Sequence, residues 1–64
     1  MNRVRELAKD QKKSIMSIVR ATKLSRSFIY EVMDKDCFPD IRNAWKIAKA
    51  INSTPNEVFP DNNY

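Results

Sequence analysis

The chain has 64 residues, a length that predicts one domain and allows it to bury only about 60 % of the surface that the unfolded chain exposes. Its single cysteine, Cys37, excludes an internal disulfide and a cysteine-based metal site, and without histidine the commonest general base and metal ligand is missing. No apolar run approaches the ~20 residues of a membrane span, so we expect an intracellular, non-catalytic module with no cofactor and no membrane contact.

Charge is unevenly distributed along the chain, whose formal net charge is +4. Residues 1–30 carry eight basic and two acidic side chains, whereas residues 31–64 carry four basic and six acidic ones. A basic half suits a polyanion, because neutralised phosphates release their counterions. Surface lysines that keep a small domain in solution explain the same pattern. Charge alone therefore leaves the partner open.

The first predicted helix covers about residues 2–11. Asn2 can cap it, and the side chains of its predicted packing side recur at steps of three and four residues. These side chains are Val4, Leu7, Ala8 and Gln11. Only one side of the helix is apolar, so we expect that side to pack on the domain and the charged side to face water.

A helix-turn-helix is predicted at about residues 15–34. Ser14 is a good N-cap for a helix over 15–21, and Ser25 is a good N-cap for a helix over 25–33. Helical spacing brings four apolar side chains together between the two helices. These are Ile18, Leu24, Ile29 and Val32. Because the turn has no glycine, we expect Lys23 to be left-handed at a cost on the order of 1 kcal/mol.

A loop is predicted over residues 34–39, and Asp40 is the expected cap of a fourth helix. The buried stripe of that helix is expected to comprise Ile41, Ala44, Trp45, Ile47, Ala48 and Ile51. Trp45 is the predicted anchor of the core, because an indole buries a large apolar area.

A short last helix is predicted from the sequence Thr54-Pro55-Asn56-Glu57. Asn52 can end the preceding helix in a left-handed conformation, and Thr54 with Glu57 forms a capping-box pattern. Val58 and Phe59 are expected to point inward. Residues 61–64 are expected to form a loose tail after an ordered core of about 2–60.

The strings SRSFIYEV and PDIRNAWKIAKAINSTPNEVF resemble the Cro/C1-type helix-turn-helix family of bacterial and phage transcription regulators. The similarity runs without an obvious gap from Ser14 to Phe59. It implies a single all-α, five-helix domain of the lambda-repressor-like fold that binds double-stranded operator DNA, usually as a homodimer. It also implies a stand-alone regulator of a kind that mobile elements encode. Because the sequence shows no signal segment, we expect a cytoplasmic protein, located on the nucleoid when bound to DNA.

By position, the resemblance implies that Arg26, Ser27 and Glu31 read base edges, with Tyr30 beside them. The chemistry agrees, because arginine can donate two hydrogen bonds to guanine and glutamate can accept from the cytosine amine. Ser14 matches the start of the helix that contacts a phosphate in this family, a place suited to an anion. Further phosphate contacts are expected from Lys35 and Arg42, and less specifically from Lys13 and Lys23.

A protein-binding alternative stays open, in which the domain is an antirepressor or modulator of another regulator. It is supported by Asp34 and Asp36 in the predicted loop, which would face phosphate with like charge. An exposed apolar patch is the second support, with Ile15, Met16, Phe28 and Phe38 as its candidate members. An enzyme is not expected, because scattered carboxylates have no histidine or motif-spaced nucleophile beside them.

Overall fold

Five helices follow one another in the computed structural model, which describes residues 2–35 and 37–64. They are α1 (Val4–Asp10), α2 (Ile15–Thr22), α3 (Arg26–Lys35), α4 (Ile41–Ala50) and α5 (Pro55–Val58). No strand occurs within the described ranges, so the predicted all-α class is confirmed. None of these helices is long and apolar enough to cross a membrane.

Side-chain caps start most of these helices where the sequence predicts them. Ser14 accepts a hydrogen bond from the Ser17 N–H at 3.1 Å, and Asp40 accepts one from the Asn43 N–H at 3.1 Å. Each cap satisfies one of the amide groups that a helix leaves without an internal partner. The predicted capping box at α5 is wrong: the Thr54 hydroxyl donates to the Glu57 carboxylate at 3.1 Å and caps no amide.

α4 forms the centre of the core and packs against α2 and α5. The buried apolar residues are Val4, Ala8, Ile18, Ile29, Val32, Ala44, Ile47, Ala48, Ile51, Val58 and Phe59. Phe59 is the largest fully buried side chain, although it follows the shortest helix. The first residues join the same assembly, since the Arg3 N–H donates to the Val58 carbonyl at 2.8 Å.

The predicted role of Trp45 as core anchor is wrong, because Trp45 is 43 % exposed. Ile41, predicted in the same buried stripe, is 47 % exposed. Each residue of an α-helix turns by about 100°, which puts Ile41 and Trp45 beside the arc that Ala44, Ile47 and Ala48 bury. The core side of α4 is therefore narrower than its apolar pattern.

The chain after α5 is attached to the domain, whereas a loose tail is predicted for it. The Tyr64 N–H donates to the Asn56 side-chain oxygen at 3.1 Å, and the Tyr64 hydroxyl donates to the Pro39 carbonyl. The Tyr64 ring meets that of Phe59 in an edge-to-face arrangement with 5.9 Å between centroids. Such aromatic pairs add to the stability gained from buried area alone.

Candidate nucleic-acid interface

The turn between α2 and α3 is formed without glycine. Lys23 adopts the predicted left-handed conformation, with φ 59° and ψ 21°, and its N–H bonds to the Val19 carbonyl at 2.9 Å. Thr22, buried at the end of α2, donates its hydroxyl to the Ile18 carbonyl at 2.8 Å and accepts from the Leu24 N–H at 3.2 Å. The threonine thus holds the turn from inside. Sequence analysis did not single it out, because a threonine at a helix end gives no distinctive pattern.

α3 is fixed at its start and along its inner side. Ser25 accepts a hydrogen bond from the Phe28 N–H at 3.1 Å, as expected of its N-cap. Ile29 and Val32 are buried in the core, and Asn2 ties the helix to the N-terminal segment by donating to the Val32 carbonyl at 2.6 Å. A helix held in this way has a fixed backbone, from which its outer side chains project at defined positions.

All four predicted base-reading side chains lie exposed on that outer side of α3. They are Arg26, Ser27, Tyr30 and Glu31. Helical rotation places Ser27 near the middle of the exposed face, Tyr30 and Glu31 on either side of it, and Arg26 towards one edge. The fold therefore gathers on one surface the donors and acceptors that can address base edges.

α3 continues two residues beyond its predicted end at residue 33, so Asp34 and Lys35 are helical and do not form a loop. Lys35 lies one turn after Glu31, with 3.8 Å between its ammonium nitrogen and the carboxylate. Both side chains are exposed, and such surface pairs contribute only about 0–1 kcal/mol. A phosphate can therefore replace the carboxylate as the partner of Lys35. Asp36, predicted in the same loop, lies outside the described residues.

Asp34 is paired with a residue that sequence analysis assigned only to solvent. Arg5, on α1, donates a hydrogen bond from its guanidinium to the Asp34 carboxylate. Helical rotation puts Asp34 on the same exposed face as Ser27, seven residues earlier. Arg5 therefore brings a positive charge to the outer face of α3, next to Asp34, for which the sequence alone shows no partner.

The predicted phosphate contacts occupy different environments. Ser14 and Lys23 lie at opposite ends of α2, and Arg42 is exposed in the first turn of α4. The Lys13 ammonium donates to the Ala50 carbonyl at 2.7 Å, at the last residue of α4. A cation is stabilised there by the partial negative charge of a helix C-terminus. Lys13 would have to give up this contact to bind a phosphate.

The apolar patch considered for protein binding is smaller than predicted. Ile15 and Phe28 pack against the core, which leaves Met16 and Phe38 as its exposed members. Exposed apolar side chains that occur singly are normal on a folded domain. Among the described residues, no group of three or more acidic or cysteine side chains is placed to hold a metal ion.

Another charged pair lies on α1. The Arg3 guanidinium donates to the Glu6 carboxylate at 3.1 Å, and this hydrogen bond holds the pKa of Glu6 below its ordinary value. The same contact raises the pKa of Arg3.

Comparison with protein-family models, with curated proteins and with solved structures gives no match for this chain. Its function has to be argued from its own residues and their geometry.

Proposed function

We propose that this protein is a sequence-specific, double-stranded DNA-binding transcription regulator of the Cro/C1 type. In this proposal the domain has the lambda-repressor-like fold, acts in the cytoplasm on the nucleoid, and represses by occupying an operator. The observation that carries the proposal is the outer face of α3, where Arg26, Ser27, Tyr30 and Glu31 are exposed together on a capped helix anchored in the core. A helix of this width fits the major groove of B-DNA.

Each side chain on that face has a chemical counterpart on a base edge. Arg26 can donate two hydrogen bonds to O6 and N7 of guanine, and Glu31 can accept from the N4 amine of cytosine. Ser27 can donate or accept. The hydroxyl of Tyr30 extends the same set, so one helix could distinguish several neighbouring base pairs.

The acids of α3 are a smaller obstacle to DNA binding than the sequence indicates. Asp34 is paired with Arg5, and Glu31 lies 3.8 Å from Lys35. With Arg26 counted, the outer face of α3 and its partners carries three cations against two carboxylates. Backbone phosphates beside the groove would then meet a surface with no excess of negative charge.

Phosphate contacts on both sides of the groove would fix the position of α3. Ser14 offers the N-terminal end of α2, while Lys23, Lys35 and Arg42 offer side-chain cations. Such contacts set the register of a protein on the duplex but carry no sequence information themselves. One α3 reads only a few base pairs, so a two-fold homodimer on paired half-sites would supply the remaining specificity.

The test begins with selection of preferred duplexes from a random pool, followed by fluorescence anisotropy titrations at two salt concentrations. Arg26→Ala should remove the preference at one base pair, at a cost of about 1–3 kcal/mol in discrimination. Arg42→Ala should lower the affinity for all duplexes about equally. It should also reduce the dependence of affinity on salt concentration by the amount expected for roughly one phosphate contact. Lys9→Ala, which makes the same change in charge on the exposed side of α1, serves as the control.

The proposal fails if the folded protein binds no duplex at low salt. If Arg26→Ala lowers the affinity for selected and random duplexes equally, then Arg26 contacts the DNA backbone and the assigned base-reading role is wrong.

A further inference from the structure

α4 has an exposed face that the core does not cover and of which the DNA proposal uses only Arg42. Ile41 and Trp45 lie one turn apart on it, 47 % and 43 % exposed, and Lys49 continues the same row. Arg42 and Lys46 form the neighbouring row, and both are exposed. We call these five residues the α4 outer face.

The α4 outer face consists of the apolar pair Ile41 and Trp45 and, beside this pair, three basic side chains. α4 contains no acidic residue, and Arg42, Lys46 and Lys49 form no ion pair within residues 2–35 and 37–64. Trp45 is the only tryptophan of the chain. A half-exposed indole next to a half-exposed isoleucine leaves apolar area in water that a partner could cover.

The face is held rigidly from behind. Pro39, just before α4, is buried, and its carbonyl accepts the Tyr64 hydroxyl. Phe38 packs edge-to-face on Phe59 with 6.4 Å between ring centroids, and Asp40 caps the helix. A surface fixed in this way loses little conformational entropy when it binds.

We propose that the α4 outer face binds a segment of a partner protein that carries apolar side chains flanked by aspartate or glutamate. The apolar centre would receive the apolar anchors, and the three cations would pair with the acids around them. A second copy of this chain fits poorly, because a two-fold contact would bring Arg42, Lys46 and Lys49 against the same cations. DNA would use the cations and leave Ile41 and Trp45 without apolar partners. This inference does not depend on DNA binding.

The fluorescence of Trp45 gives a direct test with the whole chain. The probe is an amphipathic peptide of about 20 residues, with leucines at helical spacing along one side and glutamates elsewhere. We expect it to shift the Trp45 emission to shorter wavelength and to bind the wild-type protein in a saturable manner. A lysine version of the peptide and a scrambled acidic version should give no shift.

Charge exchange provides the discriminating step. Lys46→Glu combined with Lys49→Glu should lower the affinity for the acidic peptide by about tenfold or more and allow the lysine peptide to bind. Lys9→Glu combined with Arg20→Glu changes the net charge equally on α1 and α2 and should leave the acidic peptide's affinity within about twofold. Circular dichroism verifies that both variants remain helical.

Four results would overturn the inference. They are the absence of any emission shift with the acidic peptide, equal binding of its scrambled version, equal weakening by the two double variants, and an emission shift with random duplex DNA or anionic lipid vesicles that the Lys46→Glu, Lys49→Glu variant abolishes. A concentration-dependent shift of Trp45 without any probe, together with dimerisation in analytical ultracentrifugation, would assign the face to a second copy instead.

Discussion

Arg5 and Asp34 form a hydrogen-bonded ion pair, although 29 residues separate them in the chain. The pair joins α1 to the last turn of α3, so the N-terminal helix helps to set the charge of the candidate DNA-binding surface. Its side chains remain more than half exposed, and its contribution to the free energy of unfolding is about 0–1 kcal/mol. Its main effect is therefore expected on binding.

Removing the arginine should expose that effect. Arg5→Ala leaves the Asp34 carboxylate uncompensated and should lower the affinity for all duplexes several-fold, because repulsion from phosphate increases. Asp34→Asn removes that repulsion and should raise the affinity. Anisotropy titrations at low salt measure both. Asp10→Asn, the same charge change on α1, is the control for net charge. If Asp34→Asn and Asp10→Asn have the same effect, the position of Asp34 is unimportant.

The cap of α2 should contribute measurably to stability. Ser14→Ala removes the side-chain acceptor of the Ser17 N–H and should lower the free energy of unfolding by about 1 kcal/mol. Urea unfolding followed by circular dichroism measures the change. Ser27→Ala, on the exposed face of α3, should change stability by less than about 0.5 kcal/mol. Equal losses in the two variants would contradict the capping role.

Lys23 offers a test of backbone strain. Lys23→Gly should stabilise the domain by up to about 1 kcal/mol, because glycine adopts the left-handed conformation without a Cβ clash. The greater freedom of glycine in the unfolded chain will offset part of this gain. Lys23→Ala removes the charge and keeps the Cβ, so it should bring no such gain. If alanine stabilises as much as glycine, the lysine charge is responsible and not the backbone.

The attachment of the C-terminal residue can be measured in the same way. Tyr64→Phe removes the hydrogen bond to the Pro39 carbonyl and should lower the free energy of unfolding by about 0.5–1.5 kcal/mol. Tyr64→Ala should cost more, since it also removes the packing on Phe59. Tyr30→Phe, at the exposed tyrosine of α3, is the matched control and should have little effect. If Tyr64→Ala leaves the free energy of unfolding unchanged, the tail is detached in solution.

The Arg3–Glu6 pair predicts a small dependence of stability on pH. Arg3 lowers the pKa of Glu6 from its ordinary value of 4.5 in the folded chain, so the contribution of the pair is present above about pH 4.5 and is lost as the pH falls through the lowered pKa. Glu6→Gln should therefore destabilise the domain at neutral pH and bring no penalty in strong acid. The urea midpoints of the wild-type protein and of Glu6→Gln, measured across this pH range, test this. A difference between the two midpoints that does not change with pH would contradict the prediction.

Features that depend on neighbouring residues could be predicted from the sequence. Ser14, Ser25 and Asp40 cap helices through contacts three residues ahead, and Lys23 and Asn52 are left-handed where a helix has to stop. The exposure of the side chains predicted to read bases follows from the period of α3 in the same way. Such signals lie within a few residues of one another. They are not sufficient everywhere, since the Thr54–Glu57 pattern forms no capping box and α3 continues to Lys35.

Features that depend on distant residues could not be predicted. The contacts of Arg5 with Asp34 and of Lys13 with Ala50 depend on how helices far apart in sequence meet. The predicted burial of Trp45 is wrong because the apolar pattern of α4 is wider than the arc that its neighbours cover, and Phe59, predicted only to point inward, is the largest fully buried side chain. Burial is settled by tertiary packing, and periodicity only limits which side of a helix is available.

The bond between the Arg3 N–H and the Val58 carbonyl has a consequence for how the chain folds during synthesis. A ribosome releases the N-terminal segment first, but Val58, which bonds to Arg3, and Phe59, which is buried in the same core, are made about 55 residues later. Until they emerge, α1 and α4 have no complete core to pack against. Local helices can form early, while the cooperative step must wait until Val58 and Phe59 have emerged, so we expect nascent chains that end before Val58 to be sensitive to protease.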